Sequence, residues 1–373
     1  MEERRVVVIL VAQTLRQELF YLTNTYTRQE LQVIRQHEQF FCPTCQASLH
    51  LKIGHIKIPH FAHKTLSTCD QFSEPESSLH LHGKSLLHDF FNTLNFYTEL
   101  EKYLPSIRQR ADLMINQRYA IEFQCSAIPV TQLIQRSKGY LHLNIHPIWI
   151  KGLQKPLIED VALLRLRAYE IEMVQQKGHL AYLLLFHPAN QQFYYHSNLF
   201  YVGGNRWVGK TKALPARDQV FPFAVPKPLS KNEFKKVLTI FALANKQYIR
   251  NQLYNGKQLT NALCRLCYEF RLELPNVPLI FGIPMLGADC MKEPAILWQL
   301  QLAFAYEKGI EIDDMIASGS LKIVDSTKYS QAMEVAQEYL AFYQANKDQR
   351  ETNANLLDNV YDIYCKTVRK LRK

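Results

Sequence analysis

The 373-residue sequence lacks any apolar run long enough to cross a bilayer. The longest near its start, Val6 to Ala12, falls far short of the roughly 20 residues that a membrane helix needs. That run also makes a poor signal-peptide core, since Glu2 and Glu3 precede it and no small-residue cleavage site follows. A β-strand over Arg5–Ala12 is expected instead, in a cytoplasmic chain with no membrane partner. The eight cysteines do not form the dense framework of a small secreted domain, which excludes a disulfide-stapled fold. Internal repeats and low-complexity segments are missing too, excluding solenoid architectures. Acidic residues are in deficit, 34 against 44 Lys and Arg, leaving a net charge of +10. Such a surplus favours polyanionic partners, nucleic acid above all. What is present is enough apolar character (47%) to bury a core, and at about 150 residues per domain the length predicts two or three domains.

Patterning divides the chain into 1–70, 71–155 and 156–373. The first region carries strand-like runs, then three cysteines and four histidines gathered between Cys42 and Cys69. In the second, a helical pattern begins at Ser73, with Leu79, Leu86, Leu87, Phe90, Phe91 and Leu94 at three- and four-residue intervals. Strand patterns follow at Ala111–Ile115 and Tyr119–Cys125, then a polar helix at Thr131–Lys138 and a buried strand at Ile145–Ile150. The third region opens with a helix expected over 157–177 and a hairpin, Leu180–Phe186 and Gln192–Val202, turning at Pro188-Ala189-Asn190. A Pro-rich connection, Pro215 to Pro228, leads to mostly helical patterning that includes Asn232–Tyr254, Leu259–Phe270 and the stretch around Trp298–Tyr306. The end, Lys366 to Lys373, is strongly basic and suited to DNA phosphates.

Cys42-Pro43-Thr44-Cys45 sets two thiolates at the spacing of a metal knuckle, and His60-Phe61-Ala62-His63 begins 15 residues after it. Zinc takes four nitrogen or sulfur ligands in a tetrahedron, supplied as close pairs across a loop. Cys42, Cys45, His60 and His63 meet that demand. Cys69 is a fifth candidate able to replace one histidine, with His50 and His55 weaker ones. A redox CxxC is the competing reading, but no thioredoxin-like βαβ context surrounds it. Zinc held by four protein ligands would serve folding and not chemistry. A second CxxC, Cys264 to Cys267, falls in an amphipathic helix pattern, where cysteines packed as small hydrophobes are expected.

Arg110 to Gln124 reads as a hairpin with a turn at Asn116-Gln117-Arg118, pairing Ile115 with Tyr119 and Asp112 with Glu122. Leu113, Ile115, Tyr119, Ile121 and Phe123 then share an apolar face, while Asp112, Met114, Ala120, Glu122 and Gln124 share the other. Carboxylates directly opposite one another repel, and a divalent cation between them removes that penalty. Mg²⁺ takes one or two carboxylates plus waters and phosphates, and such an ion activates water for phosphodiester hydrolysis. The bland alternative is a solvated strand face bearing two acids. Upstream, Glu76, His80 and Lys84 recur every four residues along the helix, as a stripe that would border the same cleft. Ser73-Glu74-Pro75-Glu76 also fits a capping box, a purely structural task for Glu76.

The succession of CxxC, HFAH, a helix with Glu76-Ser77-Ser78-Leu79-His80 and Gly83-Lys84, then Arg110-Ala111-Asp112 and Ile121-Glu122-Phe123-Gln124-Cys125-Ser126, resembles the competence protein CoiA family. Pro147-Ile148-Trp149-Ile150 is similar to that family too, as is Ile283-Pro284 followed by Trp298-Gln299. The resemblance runs over most of the chain and is strongest over 40–152. It implies an α/β (α+β) fold, with a PD-(D/E)XK-like nuclease core between a zinc-stapled N-terminal region and a mostly helical C-terminal region. It further implies an Mg²⁺- or Mn²⁺-dependent deoxyribonuclease acting on branched or single-stranded recombination intermediates during natural transformation, alongside the recombination machinery. Asp112 and Glu122 would hold the catalytic ion, with the Phe123 carbonyl as a further ligand. Gln124 stands where the fold usually has lysine, and a neutral amide orients water without supplying positive charge. Lys84, His80 or a second metal ion would have to supply it. The departure leaves open a non-catalytic DNA-binding recombination-accessory protein on a degenerate nuclease fold. A restriction or repair nuclease is compatible with the same residues.

Overall fold

The computed structural model describes residues 8–23, 25–54, 58–64, 77–177, 180–254, 261–349 and 355–370. Short elements open the chain: β1 (Val8–Ile9), β2 (Val11–Thr14), β3 (Leu19–Tyr21), α1 (Arg28–His37), β4 (Phe40–Phe41), β5 (Ser48–Lys52) and β6 (His60–His63). The strands form an antiparallel sheet in the order β1-β6-β5-β4-β2-β3. Three strands therefore stand between β1 and β2, which only Leu10 separates in sequence. At about 4.8 Å per strand one residue cannot bridge a flat sheet, so the sheet rolls up and Leu10 turns the corner. The single strand expected up to Ala12 is broken there for that reason.

The central part runs α2 (Ser78–Thr93), β7 (Thr98–Leu104), β8 (Gln109–Ile115), β9 (Tyr119–Gln124), α3 (Val130–His142) and β10 (His146–Gly152). It continues through β11 (Val161–Arg165), α4 (Ala168–Glu172), β12 (Gln175–Lys177), β13 (Leu180–His187), β14 (Gln192–Gly203) and β15 (Arg206–Pro215). One nine-stranded sheet holds all of these strands, in the order β11-β15-β14-β13-β10-β9-β8-β7 with β12 beside β13. β10 runs parallel to β9 and β13, and the other neighbours are antiparallel.

Further features depart from the sequence reading. β7 was not expected, because Glu99 and Glu101 interrupt its apolar pattern although both are buried. The helix expected over 157–177 is instead β11, α4 and β12, since Val161–Arg165 pairs with β15 at the sheet edge. The sheet also runs unbroken across the boundary expected at 155.

The hairpin register pairs Ile115 with Tyr119 and Leu113 with Ile121. Leu113, Ile115, Ile121 and Phe123 enter one apolar core with Leu87 and Phe91 of α2 and with Leu10, Phe40 and Phe61 of the N-terminal sheet. Met114 and Ala120 pack on the opposite side with Tyr140 of α3. The hairpin is thus sandwiched between the two helices.

The C-terminal region is helical: α5 (Lys231–Tyr254), α6 (Ala262–Glu269), α7 (Ala295–Glu307), α8 (Ile312–Ala317), α9 (Tyr329–Asn346) and α10 (Leu356–Lys370). Cys267 is buried and Cys264 half-buried on α6, and neither belongs to a metal-ligating cluster among the described residues. The basic end, as far as Lys370, is the last turn of α10, with Lys370 3.9 Å from Glu338 of α9. Among the described residues no helix is long and apolar enough to cross a membrane.

Tyr364 of α10 ties this region to the sheet. Its hydroxyl donates to Asn198 Oδ1 (2.6 Å) and accepts from the Leu229 N–H (2.7 Å), both buried. Tyr364→Phe leaves two buried groups unpaired and is expected to lower stability by about 1–3 kcal/mol, read by chemical denaturation. A loss too small to resolve would show that the hydroxyl does not hold the two parts together.

Candidate active site

The β8–β9 ladder regularly pairs Ile115 through Leu113 and ends there, short of the expected Asp112–Glu122 pair. Here the strands depart from even alternation. Ala111 packs on the α3 side with Met114, although it lies an even number of residues from Leu113 on the α2 side. On β7, Glu101 takes φ +53° between the pairs Leu100–Leu113 and Lys102–Ala111. The two acids expected on a common face are turned to different helices. Asp112 Oδ2 accepts from the Phe123 N–H (2.8 Å) and faces His80 Nε2 of α2 (3.1 Å). Glu122 Oε1 instead accepts from the Tyr140 hydroxyl and the Arg136 guanidinium, both of α3.

Each acid therefore has its own cation. The Lys84 ammonium, 0% exposed, lies 2.6 Å from Glu101 Oε1 and 3.8 Å from Asp112 Oδ1. Glu101 Oε2 accepts from the Leu10 N–H at 3.1 Å, which is where the corner of the N-terminal sheet docks. Burial opposes ionisation of Asp112, but His80, Lys84 and the Phe123 amide outweigh it and hold its pKa well below the carboxylate range. Glu122 goes the other way. Burial and the nearby Asp112 push its pKa up, against the pull of Arg136. The Arg136 guanidinium is held charged by Glu122, and burial beside Glu122 raises the Tyr140 hydroxyl.

Cys42, Cys45 and His63 come together with ligand atoms within 4.8 Å of one another, and Cys45 Sγ lies 3.3 Å from His63 Nε2. This is the one such group of three or more among the described residues. His60 does not join it: three positions away on β6, its ring falls on the other face and bonds the Ile58 carbonyl (2.8 Å). Cys69 and Glu76, both expected near these sites, lie outside the described residues. Gln124 turns away from the acids, its amide donating to the Ser126 carbonyl (3.1 Å).

Sequence reasoning missed Glu101, Arg110, Arg136 and Tyr140. Arg136 and Tyr140 are one helical turn apart on a face that meets the sheet, a spacing readable in advance. Arg110 is bonded to Thr44 within the CxxC, and its carbonyl accepts from Arg136 Nη2 (2.9 Å). A cavity of about 450 Å³ between the sheet and the helical region is lined by Trp207, Asp289 and Lys370 and contains none of these groups.

Three family models match the chain: "Competence protein CoiA, N-terminal domain" at residues 23–72, "Competence protein CoiA, nuclease-like domain" at 76–225, and "Competence protein CoiA, C-terminal domain" at 241–349. The middle match, like the central sheet, continues well past residue 155. A curated relative from Bacillus subtilis (strain 168), named "Competence protein CoiA", is 27% identical over 290 residues, covering 75% of this chain and 74% of the relative. No solved structure matches the chain significantly.

The two acids carry opposite pH signatures in metal-free protein. Asp112 binds its proton less readily when folded, so its contribution is present above about pH 4 and is lost on acidification. Glu122 binds its proton more readily when folded, so its contribution declines as pH rises above about 4.3. Asp112→Asn should flatten the acid limb of the stability profile, and Glu122→Gln should flatten the decline above it. Melting temperatures in chelator between about pH 3 and 8 test this, and unchanged limbs in both variants would refute it.

Proposed function

This chain belongs to the competence protein CoiA family, and from that premise we propose that it is a metal-dependent DNA nuclease acting during natural transformation. The reading extends to a PD-(D/E)XK-like core, with α2, the β8–β9 hairpin, α3 and the parallel β10 as its parts. One observation carries it. Asp112 and Glu122 stand on the paired strands of one hairpin, near enough for Asp112 to bear on the ionisation of Glu122, and each keeps one oxygen without a hydrogen bond among the described residues. Two such oxygens suit a hard divalent ion, Mg²⁺ or Mn²⁺. The Phe123 N–H points at Asp112, and in extended backbone the carbonyl of the same residue points to the same edge, which suits the Phe123 oxygen as a third donor. An ion bound there would supply an activated water and steady the charge that builds at phosphorus. His80 and Lys84 border Asp112, while Arg136 opposes the rise that burial imposes on Glu122. Branched or single-stranded DNA from recombination is the substrate this reading assigns, with the recombination machinery as partner.

A second reading has its own support. Gln124 is turned to Ser126, and each acid already has a protein cation beside it, as expected of a non-catalytic DNA-binding accessory protein on a nuclease-like fold. Labelled linear, single-stranded and branched DNA, incubated with Mg²⁺ or Mn²⁺ and then with chelator, separates the two. Cleavage should depend on the metal and fall by about two orders of magnitude or more in Asp112→Asn or Glu122→Gln, with DNA affinity in chelator unchanged. Wild-type protein that binds these DNAs and cuts none of them would establish the accessory reading.

We also propose that Cys42, Cys45 and His63 hold a structural zinc, with Cys69 in place of His60 as fourth ligand. The donors fit: one thiol is buried, the second is exposed beside the imidazole, and burial raises the metal-free Cys42 thiol, so that loss of its proton calls for a strong Lewis acid. Protein purified without chelator should carry about one Zn²⁺ per chain, and Cys42→Ser should lower the melting temperature as well as the metal content. Metal analysis that finds no zinc would remove this assignment.

A further inference from the structure

No aspartate or glutamate occurs from residue 39 to residue 69, where Lys52, Lys57 and Lys64 fall among four histidines and the CxxC knuckle. The fold gathers cations of this stretch on one surface. On β5, Leu49 and Leu51 enter the core, while Ser48, His50 and Lys52 are exposed. The Lys64 N–H donates to the Ser48 carbonyl at 3.1 Å, which carries the β5–β6 register one pair past His63. Lys64 therefore stands opposite Ser48 on the exposed face, diagonally across from His50, with Lys52 two residues along the strand. α1 adds Arg35 from its last turn. Slight desolvation, then repulsion from Lys52, Lys64 and Arg35, keeps the His50 imidazole below its usual pKa, so all three cations converge on it. None of the three is paired with an acid among the described residues. Other exposed lysines are: Lys212 meets Glu159, Lys231 meets Asp358 and Lys322 meets Glu293.

We propose that the exposed face of β5, with Arg35, Lys52 and Lys64 around His50, is a docking surface for the phosphate backbone of DNA. The inference deepens the DNA reading above and rests on it for the partner. Like charges gathered on one sheet face repel, and a polyanion laid across them removes that cost. No large apolar side chain of β5 or β6 is exposed, so the face lacks the hydrophobic centre of a protein interface. Cations along an open strand suit a row of phosphates, which position DNA without reading its bases. The face also leads to the acids. Lys64 follows His63, whose Nε2 lies 3.3 Å from Cys45 Sγ, and neighbouring Thr44 is bonded to Arg110, two residues before Asp112.

The test measures binding of the full chain to labelled DNA, duplex and single-stranded, over a series of NaCl concentrations without added Mg²⁺ or Mn²⁺. Chelator is omitted so that the knuckle keeps any metal it holds. Arg35→Gln/Lys52→Gln/Lys64→Gln should bind about tenfold or more weakly near physiological salt. Its log–log salt dependence should be shallower by about two to three, since each phosphate contact contributes about 0.7–0.9 to the slope. Its melting temperature should equal or exceed that of wild type, because repulsion is removed. Lys212→Gln/Lys231→Gln/Lys322→Gln removes the same charge elsewhere and should bind as wild type does. Equal weakening in both variants, or wild-type affinity and slope in the first, overturns the proposal. Lysine acetylation of wild-type protein, mapped by mass spectrometry, reads the same surface even where the first variant loses its fold. Bound DNA should protect Lys52 and Lys64 severalfold and leave Lys212 and Lys322 reactive; unprotected Lys52 and Lys64 overturn the proposal. Wild-type protein that cuts no DNA with any divalent ion, yet loses affinity in the first variant, overturns the nuclease reading and leaves this inference standing. Wild-type protein that binds no DNA overturns both.

Discussion

An ammonium group sealed from water has to be matched by negative charge, and Lys84 draws the site together around that demand. It brings α2 against β7 through Glu101 and against β8 through Asp112. Glu101 in turn takes the amide of Leu10, at the corner where the N-terminal sheet rolls. Across the central sheet Arg136 does the corresponding work, reaching Glu122 with one nitrogen that also bonds the Arg110 carbonyl. Two acids that would repel across a bare hairpin are thus accommodated by cations from separate helices.

Much of this was legible in the sequence because it rests on short-range pattern. Alternation over 110–124 fixed the hairpin register, and the three- and four-residue spacing of Leu86, Leu87, Phe90 and Phe91 marked α2. The CxxC marked the knuckle, and the helical texture after residue 230 held. What could not be read depends on partners far apart in the chain. β7 was hidden because its buried acids mimic a polar loop, and those acids are buried only because Lys84 and Lys102 neutralise them. The left-handed backbone at Glu101 and the broken alternation around Asp112 are invisible to any rule of strict alternation. Equally, HFAH suggests a ligand pair until it is a strand, where residues three apart face opposite ways.

The N-terminal region and the central sheet behave as one structure. Thr44, inside the CxxC, is bonded to Arg110, which stands two residues before Asp112 and holds Arg136 by its carbonyl. Leu10 and Phe61 share a core with Leu87 and Ile121. Glu122 is therefore connected to the N-terminal region through Arg136 and Arg110, and Asp112 through Lys84 and Glu101. A metal bound at the knuckle would stiffen the anchor of Arg110 without approaching Asp112.

The corner at Leu10 also constrains the order in which the chain can fold. Its amide partner, Glu101, lies 91 residues downstream, and the apolar side of the rolled sheet waits for α2 and the hairpin. A growing chain leaving the ribosome would expose that surface until the central strands emerge. Closing so long a loop costs entropy that only the later contacts repay, so the early sheet gains little by forming alone. The N-terminal strands are expected to lock only once α2, β7 and the hairpin are in place, although they are the first to be made.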